Sequence, residues 1–212
     1  MNFKNVVIFG DSYSTFSGVV PEGFRVYYTG SRSEAPDLKD ASELWWQRLM
    51  ADTDSRVLQN NSYSGSTVCN MGRSGDCSET TSFIARINKL ANDGFFRENE
   101  INTVFVFGGT NDSWIKVPVG ELQYENFQKE DLLNVLPGVC FFFKRVREEM
   151  PNARMIVIIN TGLNDEIAAG MKNAAAHYGA DVVELCNIEK ISGHPTAKGM
   201  EQIKDQILDQ LA

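Results

Sequence analysis

The chain has 212 residues, 42% hydrophobic and 23% charged, and carries a net charge of −8. That length suits one domain with a sizeable core. The acidic balance argues against nucleic acid or an anionic membrane as the main partner, because both recruit basic patches.

In chain order, residues 6–10 (Val-Val-Ile-Phe-Gly) read as a buried first strand. Their apolar run is too short for a signal h-region or a membrane span, so the expectation is a cytoplasmic protein. Asp40-Ala41-Ser42-Glu43 is a capping-box pattern, and Leu44, Trp45, Arg48 and Leu49 continue one helical face. Residues 56–61 suggest a second strand. Residues 78–92 place Phe83, Ile84, Ile87 and Leu90 at helical spacing, with Gly94 as the stop. Residues 101–107 form a β-branched and aromatic strand. A long helix is predicted over 131–150, closed by Pro151, and a fourth strand over 154–160. Asn164 caps an alanine-rich helix that ends near Gly179. Residues 181–185 read as a fifth strand and 195–211 as the last helix, with Pro195 at its first position.

Strands with continuous apolar runs, alternating with helices, predict a parallel sheet covered on both faces. The expected fold is a flavodoxin-like three-layer α/β/α sandwich of about five parallel strands, forming one domain over 1–212. Two connections are too long for simple turns: 13–39, with Phe16, Phe24, Tyr27 and Tyr28, and 113–130, with Trp114 and Tyr124. Both follow the carboxyl end of a strand, where open α/β sheets place ligands. The aromatic residues of the first suit either a sugar or a hydrophobic lid. Cys69, Cys77, Cys140 and Cys186 contain no C-x-x-C pair, and the chain has two histidines, which argues against a zinc site. Reduced thiols are expected, a Cys69–Cys77 bridge being the alternative for an exported chain.

Four short clusters carry chemistry. Gly10-Asp11-Ser12 follows the first strand, and Gly10 permits the tight turn that projects Ser12 into the crevice. Ser64-Gly65-Ser66 follows the second strand, where Gly65 lets a backbone N–H approach a ligand. Gly109-Thr110-Asn111-Asp112 follows the third strand and offers the Asn111 amide. Ser192-Gly193-His194-Pro195 precedes the last helix and places His194 at a loop end, whereas His177 lies at a helix end suited to a dipole or surface role. Taken singly, each of the first three is an ordinary turn or loop.

Their order along the chain resembles the SGNH (GDSL-like) serine hydrolase family, across nearly all of the sequence. The resemblance implies an ester hydrolase without metal or cofactor. It implies Ser12 as nucleophile and His194 as base. It also implies an oxyanion hole of the Ser12 and Gly65 N–H groups with the Asn111 side chain. The substrate would be a small-molecule ester or an acylated carbohydrate; a carbohydrate deacetylase, a small lipase and a thioesterase all fit. The family's acid, three residues before the histidine, is replaced by Ile191. A backbone carbonyl near Ile191 could hold the imidazole, or Glu189 or Glu184 could reach it, or the protein could be a non-catalytic glycan- or acyl-binding module on the same fold. A flavodoxin-type nucleotide site is disfavoured, since neither G-x-x-x-x-G-K-[ST] nor G-x-G-x-x-G follows the first strand.

Overall fold

Strand side chains alternate between two faces, and both faces here are apolar, so the sheet must be covered on each side. The computed structural model describes residues 1–31 and 36–212. In chain order its elements are β1 (Asn5–Gly10), α1 (Trp45–Thr53), β2 (Arg56–Ser62), β3 (Met71–Gly72), β4 (Gly75–Asp76), α2 (Phe83–Asn92), α3 (Phe95–Glu98), β5 (Thr103–Phe107) and α4 (Thr110–Trp114). They continue with α5 (Val135–Glu149), β6 (Arg154–Ile159), α6 (Asp165–His177), β7 (Asp181–Glu184), β8 (Lys190–Ile191), β9 (His194–Pro195) and α7 (Ala197–Leu211).

Five parallel strands form one sheet in the order β2-β1-β5-β6-β7. This is the expected three-layer α/β/α sandwich. Val7, Phe9, Val104, Val106, Val157 and Ile159 face a core shared with α2, α5 and α6. Val6, Ile8, Phe105, Phe107, Ile156 and Ile158 face the opposite core, with Trp45 and Leu49 of α1 and Met200, Ile203 and Ile207 of α7. Each fully buried aliphatic or aromatic side chain contributes about 1.5–3 kcal/mol. The strand order reverses between β1 and β5, and the crevice at their carboxyl ends is where such sheets bind ligands.

The boundaries correct several expectations. The 131–150 helix is two pieces: a 3-10 turn at Asp131–Leu133, then α5, separated by the extended Asn134. Pro137 then falls in the first turn of α5, where its missing N–H costs little. The 78–92 helix begins only at Phe83, because the Ser82 side chain accepts from Ala85 N and caps it there. Asp40 caps a 3-10 turn rather than α1, and Glu43 bonds Lys39 N, one residue before the capping-box partner. Pro195 lies in β9, and α7 starts after Thr196, whose hydroxyl accepts from Gly199 N. Asn164 caps α6 as expected, accepting from Glu166 N and Ile167 N. All four cysteines are free thiols, so the Cys69–Cys77 bridge is not formed. No helix among the described residues is long and apolar enough to cross a membrane. Of the long connection 13–39, residues 32–35 lie outside the described residues.

Candidate active site

β1 ends at Gly10, where a Cβ would come within 2.6 Å of the Ser14 and Ser62 hydroxyls. The chain then enters a 3-10 turn over Ser12–Ser14, capped by Asp11, whose Oδ1 accepts from Tyr13 N at 3.1 Å. This turn sets Ser12 at the carboxyl end of β1, 3% exposed. Its Oγ lies 3.0 Å from His194 Nε2, bridging residues 182 apart in sequence.

His194 sits on a two-stranded ribbon, β8 paired with β9, closed by Ser192-Gly193. Both turn residues have positive φ, 50° and 80°, as a tight two-residue hairpin requires. Two distant tyrosines and one lysine of the ribbon itself hold it in place. The Tyr28 hydroxyl donates to Pro195 O at 2.8 Å, and the Tyr13 hydroxyl donates to Gly193 O. Lys190 Nζ donates to Asn160 Oδ1 (2.9 Å), Thr161 O (3.1 Å) and Thr161 Oγ1 (2.6 Å), just past β6. Tyr27 stacks on the imidazole at 3.5 Å, the rings 3° from parallel.

The candidate partners for the imidazole in place of an acid at position 191 can be told apart by contact. Ile191 is 46% exposed and pairs with His194 across the ribbon. His194 Nδ1 lies 3.3 Å from the Ser192 carbonyl, so a backbone carbonyl next to Ile191 does meet the ring. Glu189 instead accepts from the Thr196 hydroxyl and pairs with Lys198, and Glu184 pairs with Lys172. Neither glutamate is the partner the sequence allowed for. With its proton on Nδ1, toward Ser192 O, the ring presents Nε2 as an acceptor to the Ser12 hydroxyl.

Gly65 turns at φ 86°, and Ser66 N donates to Tyr63 O at 3.1 Å. Among the described residues, neither the Ser12 N–H nor the Gly65 N–H donates to a protein acceptor. Asn111, in the first turn of α4 and 4% exposed, donates from Nδ2 to Ser66 O at 2.9 Å. That bond ties the loop after β2 to the end of β5 and leaves the second amide hydrogen. Asp112, fully buried, accepts from Val68 N and Cys69 N and anchors the same loop.

Two charged groups lie beneath. Arg86 of α2, 2% exposed, donates to Asn61 Oδ1, Gly10 O, Ser66 Oγ and Thr81 O, so one guanidinium joins the segments that carry Ser12 and Gly65. Burial pulls its pKa down to about 9. Burial raises the Asp11 carboxyl to about 7, against the lowering effect of its bond from Tyr13 N, and its Oδ2 is buried without a hydrogen bond. Sequence reasoning missed Arg86, though a lone arginine on the apolar face of Phe83, Ile84 and Ile87 was its signal. It also missed Tyr13, Tyr27 and Lys190 as neighbours of His194. Phe16 and Tyr28 of the aromatic loop are buried rather than presented to a ligand. His177 ends α6 and stacks on Tyr124, away from these residues.

A hydroxyl 3.0 Å from an imidazole nitrogen can surrender its proton as it attacks a carbonyl. A profile described as GDSL-like Lipase/Acylhydrolase matches residues 4–211, and the chain belongs to that family. It is similar to a GDSL-like lipase candidate from Bacteroides ovatus, at 35% identity and TM-score 0.90, over 100% of this chain and 99% of that one. A second, from Bacteroides uniformis, is 38% identical with TM-score 0.88, over 97% and 94%. An acetyl xylan esterase from Butyrivibrio proteoclasticus shares the fold, at 15% identity and TM-score 0.62, over 100% and 64%. Among curated proteins none matches. Family and neighbours together support ester hydrolysis as the general activity.

Proposed function

We propose that the protein is a serine esterase that deacylates a small carbohydrate ester through an acyl-enzyme. Ser12 attacks the acyl carbonyl while His194 takes its proton through Nε2. The Ser12 N–H, the Gly65 N–H and the Asn111 amide stabilise the oxygen that becomes negative. His194 then protonates the leaving alcohol, and the same base activates water to release the acid. The single observation that carries this reading is the 3.0 Å contact between Ser12 Oγ and His194 Nε2. The sugar preference rests on the aromatic surroundings of the imidazole, Tyr27 stacked on it and Trp114, 43% exposed, at 5.5 Å, together with the fold shared with a xylan deacetylase.

The test is turnover of 4-nitrophenyl acetate, acetate release from an acetylated sugar, and labelling by a fluorophosphonate. Ser12→Ala should lose labelling and at least about a thousandfold in kcat. Absence of both turnover and labelling in the parent protein would overturn the assignment. Faster cleavage of long-chain esters than of acetylated sugar would replace the sugar with a lipid.

A further inference from the structure

Beside the Gly65 turn lies a second cavity of about 250 Å³, lined by residues that include Arg25, Tyr63, Gly65, Arg73, Asp76 and Thr81. Gly65, whose backbone N–H is assigned to the oxyanion, forms one of its walls, so the cavity adjoins the proposed oxyanion site. We propose that Arg25 and Arg73 make this cavity a subsite for a carboxylate or similar anionic group of the substrate, so that the ester cleaved is an acidic one. The proposal rests on the esterase reading above and narrows its substrate class.

Position argues for it first. The Arg25 guanidinium lies close enough to Gly65 that a Cβ there would sit 3.9 Å from its Nη1. The backbone of Arg25 is fixed to the same loop, since Ser64 N donates to Arg25 O at 2.9 Å. Arg73 sits at the turn of the β3–β4 ribbon, whose register pairs Gly72 with Gly75 and leaves Arg73-Ser74 as the tip. Neither arginine is carried on a free strand; both are delivered to the cavity by hydrogen-bonded backbone.

Partnering argues next. Among the other described arginines, Arg48, Arg145 and Arg154 are paired with carboxylates, Arg56, Arg86 and Arg147 donate to protein acceptors, and the Arg97 guanidinium makes neither contact. Arg25 and Arg73 have no hydrogen bond or ion pair from their guanidinium groups among the described residues. The one carboxylate lining the cavity, Asp76, accepts from Ser78 N at 2.8 Å, so the local balance remains positive. In a protein of net charge −8, an anionic substrate is repelled over most of the surface. Two unpaired arginines at the cavity beside the Gly65 turn reverse that locally. Each offers a planar fork that matches a carboxylate in two-point geometry. Tyr63, which lines the cavity, is an aromatic wall backed edge-on by Phe24 at 5.5 Å.

The carboxylate could stand on the alcohol side of the ester, as in an acetylated hexuronate, or on the acyl side, as in a hemiglutarate. The experiment separates them. Measure kcat/KM for acetylated glucuronate against acetylated glucose, and for mono-4-nitrophenyl glutarate against 4-nitrophenyl acetate. Repeat both comparisons in Arg25→Ala/Arg73→Ala and in Arg25→Lys. One of the two acidic-to-neutral ratios should exceed one in the parent and fall about tenfold in the double variant, with Arg25→Lys in between. That ratio should shrink as salt rises, as screened charge requires. Ratios at or below one in both comparisons, or ratios the double variant leaves unaltered, would overturn the subsite while neutral turnover keeps the esterase reading standing. If no ester is turned over, the esterase reading fails instead. Calorimetric binding of glucuronate and glutarate to the parent and double variant then decides the subsite, which fails if neither binds or if both proteins bind alike.

Discussion

At Asp11, capping and burial make opposed demands. The carboxyl adjoins Ser12 and caps its turn, yet it is buried and titrates at about 7 in the fold against 3.8 for an ordinary aspartate. Between those values the folded chain keeps a proton that the unfolded chain has lost, so folding is favoured most below about pH 4. Its contribution declines as pH rises and is lowest above about 7. Asp11→Asn has no proton to lose, so its stability relative to the parent should improve by on the order of 3–4 kcal/mol between pH 4 and pH 8. Urea denaturation at the two pH values measures this, and parallel pH dependence in both proteins would refute it. At Asn111, one amide hydrogen is committed to Ser66 O and the other is assigned to the oxyanion. Asn111→Ala should therefore lower kcat by about a hundred- to a thousandfold with a smaller effect on KM. An effect confined to KM would mean the amide serves binding alone.

The helices and long strands announce themselves by period, and the ribbons do not. Val6 to Gly10 and Ile156 to Ile159 are apolar runs bounded by turn residues, and Ile84 and Ile87 mark a helical face, so each was legible. β3–β4 and β8–β9 are two residues per strand, too short to display alternation, and the second carries His194. The break at Asn134 was hidden because hydrophobic spacing runs across it. The β8–β9 ribbon makes its own test possible. At Gly193 a side chain would meet a φ of 80° and would come within 3.0 Å of the Trp114 ring. Gly193→Ala should cost about 1 kcal/mol in stability and reduce kcat more than it raises KM, because the imidazole is displaced from Ser12. Lys190→Met, which removes the three bonds to Asn160 and Thr161, should reduce kcat in the same way. Unaltered kcat in both variants would show that the ribbon keeps its place without these anchors.

Across the whole molecule, the two cores meet the sheet through close approaches. A Cβ at Gly138 of α5 would fall 2.7 Å from Cys69 Cβ and 2.8 Å from its Cα. Cys69 N is itself held by Asp112, next to Asn111. Gly138→Ala should lower stability by about 1–3 kcal/mol and should also weaken kcat, because the displaced segment is the one leading from Gly65. Stability loss without any change in kcat would show that the two are mechanically separate. The members of the site were readable as motifs, since Gly-Asp-Ser, Gly-x-Asn-Asp and His-Pro are local in sequence. Their supports were not. Tyr13, Tyr28, Arg86 and Lys190 bind backbone carbonyls or amides of remote segments, and such partners leave no pattern in the chain.

The hydroxyl lies just past the first strand and the imidazole on a ribbon that follows the last strand of the five-stranded sheet, 182 residues later. A nascent chain emerging from the ribosome can therefore assemble its entire sheet and remain inert. On the esterase reading, cleavage should begin only once the β8–β9 ribbon docks across Tyr13 and Tyr28, a closure of high contact order expected to come late. Hydrolysis of a chromogenic ester, followed during refolding, would then lag behind the recovery of secondary structure and time the docking of that ribbon.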